Sequence, residues 1–185
     1  INGSATTDAN GVATFTGLSA SGLIGTRTLR YTATAGAVTV NSANSTNLVV
    51  NAGLPATVNI TTQPAATAAI GVVFSPVPVV TVLDAATNVV PTTPVIVSVA
   101  TGNPLTFTAG TATTNASGVA TFTGLIAATG GVGVRTLQFT AGTAISAPSN
   151  NVTVNGGPPS TVVIQTQPAA IVQSGVVFPT VPVVL

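Results

Sequence analysis

Apolar and polar residues alternate along most of this chain in short runs of four to seven positions, and Gly, Pro, Asn or Ser closes each run. A period of two places successive side chains on opposite faces of an extended strand, so the pattern predicts β-strands and no helices. Within residues 54–157 the runs predict about seven strands, at 57–61, 77–83, 95–99, 105–109, 119–123, 135–141 and 151–154. Leu137, Phe139 and Ala141 fall on one face of their strand, and Leu29, Tyr31 and Ala33 fall on one face of an earlier, similar strand. In 95–99 the odd positions are all Val, whereas 77–83 is apolar on both faces and is expected to be covered on both. The alternation assigns Phe74, Val80, Val82, Val97, Phe122, Leu137 and Phe139 to one core. A register error of a single residue would turn them all outward.

The elements repeat. Gly-Val-Ala-Thr-Phe-Thr-Gly-Leu stands at 11–18 and again, unchanged, at 118–125, while 47–64 returns in varied form as 151–168 and Gly-Val-Val-Phe at 71–74 returns at 175–178. A period of just over a hundred residues is too long for a solenoid coil or a propeller blade and suits one small β-sandwich in a tandem array. The chain then divides into the last part of one unit (1–53), a complete unit (54–157) and the first part of another (158–185). Stretches 51–55 and 155–159, rich in Gly and Pro, are expected to be short, stiff linkers. Turn chemistry lies between the strands at Asn10-Gly11, Ser117-Gly118 and Gly130-Gly131, and 84–88 is expected to be a hairpin loop.

Several motifs carry a family resemblance. Thr-Gln-Pro at 62–64 and 166–168, Gly-Val-Val-Phe, Val-Pro-Val-Val-Thr-Val-Leu-Asp at 77–84, Pro-Val-Ile-Val-Ser-Val-Ala-Thr-Gly at 94–102 and the octapeptide ending in Leu125 together resemble the bacterial immunoglobulin-like repeats of very large surface proteins. The resemblance extends over essentially the whole chain and implies tandem immunoglobulin-like β-sandwiches. It implies no single activity, since that family uses its domains as spacers, adhesins and fibre subunits. Members often place Gly before the Asn of the loop that follows the Asp; here Thr87 precedes Asn88.

Composition then removes whole classes of function. The only charged residues among 185 are Arg27, Arg30, Arg135, Asp8 and Asp84, and Lys, Glu, His, Cys, Met and Trp are absent. With 45% hydrophobic residues the chain is not of the disordered type, despite its low charge. A net charge of +1 supplies no basic field, so neither nucleic acid nor an anionic membrane surface is an expected partner. Prolines and glycines interrupt every apolar run, so no membrane insertion by a helix is expected. Without cysteine there is no disulfide framework and no zinc or thiol chemistry. No cofactor is expected either.

Catalysis needs a nucleophile or proton carrier of tuned pKa, and almost every candidate type is missing. Asp8 and Asp84 occupy different slots of different repeats beside turn residues, and are expected to bond their own backbone. A calcium-bridged junction needs several carboxylates, and neither linker has one. Asn2, Asn44, Asn59, Asn115 and Asn151 each open an Asn-x-Ser/Thr triplet that a glycan would require, although such triplets arise readily by chance in a chain rich in Asn and Thr. The Thr-x-Thr runs at 26–28, 32–34 and 121–123 have the form of ice-binding faces and equally of ordinary exposed strand faces. Arg27 and Arg135 share one slot at the start of the same strand. Each is expected as a solvated charge, with an interface anchor as the alternative.

A folded unit with so little charge presents Thr, Ala, Val, Gly and Asn to its surroundings and is expected to self-associate with neighbouring repeats or subunits. The expected role is a non-enzymatic, extracellular or cell-surface structural protein that builds a filament, sheath or layer; the alternative is the stalk of a giant adhesin. The partial units at both ends are expected to be completed by strand pairing from outside residues 1–185, along one polypeptide or by donation between chains.

Overall fold

A computed structural model describes residues 3–185. Every regular element among them is a strand. The first four are β1 (Gly25–Arg27), β2 (Thr32–Ala35), β3 (Val38–Asn41) and β4 (Leu48–Val50), paired as two separate ribbons, β1 with β4 and β2 with β3. The central unit follows with β5 (Pro55–Thr62), β6 (Thr67–Ala69), β7 (Val79–Asp84), β8 (Pro94–Thr101), β9 (Leu105–Thr108), β10 (Thr111–Thr113) and β11 (Val119–Thr121). It ends with β12 (Ile126–Gly130), β13 (Gly133–Ala141), β14 (Ala144–Ile145) and β15 (Val152–Asn155), before the last ribbon of β16 (Ile164–Thr166) and β17 (Val183–Val184).

The central unit is a β-sandwich. One sheet runs β10-β8-β13-β15-β6 with β14 attached to β13, the other runs β11-β7-β5, and β9 and β12 form a side ribbon. Only β6 lies parallel to its neighbour, β15. The two sheets share one apolar cluster in which Phe74, Val80, Val82, Val97, Phe122, Leu137 and Phe139 are all buried. The alternation therefore had the right register for these seven residues, because a period of two fixes which face of a half-buried strand turns inward; Leu29 and Tyr31, read as part of one strand with Ala33, lie between β1 and β2 instead. Strand β7 buries Val80, Val82 and Asp84 and half-buries Val79, Thr81 and Leu83, so both its faces are covered to some degree, as its two-sided apolar pattern suggests.

Four central strands escape the sequence reading: β6, β10, β12 and β14. Each is five residues or shorter and built mainly of Ala, Thr, Gly and Ile. Such segments become strands through pairing with a neighbour rather than through any preference of their own. Residues 3–53 hold four short strands, and Asn151 lies just ahead of β15 rather than inside it. Strand β5 ends at Thr62, two residues before Pro64, whose ring leaves no N–H to pair. Among the described residues no helix is long and apolar enough to cross a membrane.

Candidate functional site: the junction before the central unit

A buried polar constellation lies where residues 3–53 meet the central unit. Strand β7 ends at Asp84, and the chain reverses through 84–88, where the Asp84 N–H donates to the Asn88 carbonyl and the Thr87 N–H to the Asp84 carbonyl, both in normal range at 2.9 and 3.1 Å. Closing the turn requires a left-handed residue, and Thr87 supplies it at φ 65°. Glycine takes that conformation without the Cβ clash that Thr suffers, which is why a Gly at this point is the easier choice.

Asp84 and Asn88 are both buried. The Asp84 Oδ1 accepts from the N–H groups of Ala86 and Asn88, and its Oδ2 accepts from Asn88 Nδ2 and from the Gly53 N–H, each at 2.9 Å. The Asn88 amide, and after it the Gly53 N–H, hold this carboxyl at about 2 against the opposing effect of burial. Asn88 then reaches outward: its Nδ2 donates to the Gly22 carbonyl at 2.9 Å, and its Oδ1 accepts the Ile24 N–H at 3.1 Å. One side-chain amide thus pairs with the backbone of the preceding segment as a strand edge would. The same carboxylate holds the 51–55 linker through Gly53. Both Asp84 oxygens face N–H donors, an environment opposite to that of a cation ligand.

Arg135 corrects the sequence reading, which had it solvated. It is 1% exposed and points into the sandwich, with Nε donating to the Asn103 carbonyl at 2.8 Å, one terminal nitrogen to the Gly133 carbonyl at 2.7 Å and the other to the Gly131 carbonyl. Three backbone carbonyls take the place of a counter-ion. Parity was the available signal, since 135, 137, 139 and 141 are all buried on one face of β13. Arg27, in the same slot, is exposed and bonds only the Thr26 and Leu23 carbonyls.

Asp8 caps its own turn, accepting from the N–H groups of Asn10 and Val12, and Asn115 does the same for Ser117 and Val119 one repeat later. The two carboxylates thus serve separate turns and form no pair. Of the glycan triplets, Asn44, Asn59, Asn115 and Asn151 are exposed and dispersed, with the Asn115 oxygen occupied in its turn; Asn2 lies outside the described residues. Thr32 and Thr34 are exposed and bond Asn41 and Thr39 across their ribbon. Asn88, which reaches across to the preceding segment, is a residue the sequence gave no such role, because the backbone groups it meets lie more than sixty positions away.

No protein-family model and no curated protein sequence matches the chain. Among solved structures it is similar to domains 4 and 5 of the S-layer protein SbsC, at 17% identity and a TM-score of 0.35, over 83% of this chain and 66% of that one.

Proposed function

We propose that this chain is part of a non-enzymatic, extracellular structural protein in which immunoglobulin-like repeats are linked stiffly in series to build a filament, sheath or surface layer. The junction carries this reading. A carboxylate and an amide that bond neighbouring backbone hold a linker and a preceding segment against the sandwich, an arrangement suited to spacing and bearing load rather than to chemistry on a substrate. The surface fits the same role. Ile96 and Ile145, more than half exposed, both lie beside Thr140 on the outer face of the larger sheet and leave an uncharged strip of β-branched side chains. An adhesin stalk would share the junction but has no use for that strip, which favours lateral assembly. Contacts of this kind respond little to ionic strength.

Antibodies raised against residues 54–157 and applied to intact source cells test the reading. Dense, regular surface decoration is the expected result. Labelling that appears only after the cells are permeabilised would overturn it.

A further inference from the structure

Asn followed by Gly is the pairing in which a polypeptide most readily attacks itself, because Gly has no Cβ to keep its backbone nitrogen away from the Asn side-chain amide. The chain has three such pairs, at 2–3, 10–11 and 155–156, and Asn2 lies outside the described residues. The other two differ in what their atoms are doing. At the first, the Gly11 N–H donates to the Asp8 carbonyl at 3.0 Å, in a turn that the Asp8 carboxylate also holds through Asn10 and Val12, so the attacking nitrogen is tied back. At the second, Asn155 ends β15 and is exposed, and among the described residues neither its side chain nor the Gly156 N–H has a hydrogen-bond partner.

The space around this pair suits ring closure. An added Cβ on Gly156 would meet nothing within 4 Å, so a succinimide has room to form there. The backbone on either side is held. The Asn155 carbonyl accepts the Ile70 N–H at 3.1 Å, Asn155 lies opposite Ala69 in the β15·β6 pair, and Gly157 passes too close to the Ile70 carbonyl to carry a Cβ. Asn51 takes the place of Asn155 ahead of the central unit, where a whole sandwich follows, and it too is exposed. Its side chain and the Ala52 N–H are likewise without partners among the described residues. The two junctions differ in the next residue: Ala52 carries a methyl group, half-buried against the central core, where Gly156 carries none.

We propose that Asn155 is a self-modification site, at which the side-chain amide reacts with the Gly156 nitrogen and needs only water to complete the change. The Gly156 nitrogen gives up its proton to solvent and bonds to the Asn155 Cγ; the Cγ–Nδ2 bond breaks, and the amide nitrogen takes up a proton and leaves as ammonia. One water molecule then opens the succinimide. Opening at Cγ gives aspartate on an unchanged backbone. Opening at the main-chain carbonyl gives isoaspartate, in which the chain runs on through Cβ and Cγ and the former carbonyl becomes a free carboxylate. The backbone is then one atom longer at the point where Gly157 is seated against Ile70. Either product adds a carboxylate to a chain that has two, Asp8 and Asp84, and takes its net charge from +1 to zero. Proteins near zero net charge associate more readily, so the reaction also favours contact between copies.

The folded chain, held in mildly alkaline buffer and sampled by peptide mapping with fragmentation that separates isoaspartate from aspartate, provides the test. Asn155 is expected to convert about tenfold or more faster than Asn10 and Asn51, with ammonia released in step. In denaturant, where the Asp8 turn is lost, Asn10 should catch up with Asn155 while Asn51 stays slow. Gly156→Ala, at a position with room for the methyl group, should slow Asn155 to the rate of Asn51 and leave the denaturation midpoint where it was. Equal conversion of Asn10 and Asn155 in the folded chain, an Asn155 that stays intact there, or an unchanged rate in Gly156→Ala would each overturn the proposal. Surface labelling of cells is unaffected by any of these results, so the two readings fail separately.

Discussion

Arg27 and Arg135 begin the same strand of two successive copies, and their guanidinium groups bond nearby backbone in nearly the same way, yet one is exposed and the other buried. Arg135 has one partner more. Asn103, on the loop between β8 and β9, closes over Arg135 from 32 positions away. That loop comes close because residue 102 is glycine, at φ 97°, where an added Cβ would stand 2.9 Å from the Arg135 Cγ. Among the described residues no such loop lies above Arg27. Local sequence therefore sets how each arginine bends back on its strand, and only the far side of the sandwich decides whether it leaves water.

The aromatic pairs give the sharpest way to break this comparison. Phe122 and Phe15 sit in identical octapeptides, but only Phe122 is enclosed. Phe122→Ala is expected to destabilise the central unit by about 3–5 kcal/mol in chemical denaturation. Phe15→Ala should change it by less than about 0.5 kcal/mol; equal losses would mean that the copies are not differently packed. The arginines come next. Arg135→Met removes the guanidinium's three hydrogen bonds to the Asn103, Gly131 and Gly133 carbonyls, at an expected cost of about 2 kcal/mol. Arg27→Met should stay within about 0.5 kcal/mol.

The junction can be tested with acid. Asp84 has its carboxyl lowered from 3.8 to about 2 in the folded chain, so the folded state favours the ionised form. Its contribution is complete above pH 4 or so and is lost as pH falls towards 2. The denaturation midpoint should drop across that window, and small-angle scattering should show the preceding segment loosening from the sandwich. Asp84→Asn is expected to remove the step, and Asn88→Ala to loosen the segment at neutral pH. The smallest effect concerns Thr87. Thr87→Gly should raise stability by about 1 kcal/mol by relieving the left-handed turn; no gain would mean that the turn carries little strain.

Seven core residues, the absence of helices and the hairpin at 84–88 were legible in the sequence, because alternation and turn chemistry are written within a few consecutive positions. Identical segments also announced themselves as copies. Strands β6, β10, β12 and β14 were not legible, since their short Ala- and Thr-rich stretches are extended only where a neighbouring strand meets their backbone groups. Arg135 was readable by parity but misassigned, because charge argues for water until three carbonyls are found waiting. The clamp of Asp84 and Asn88 on Gly53, Gly22 and Ile24 had no local sign at all. Periodicity reports which face of a strand is apolar; what that face or that amide meets is settled by chain that returns from tens of residues away.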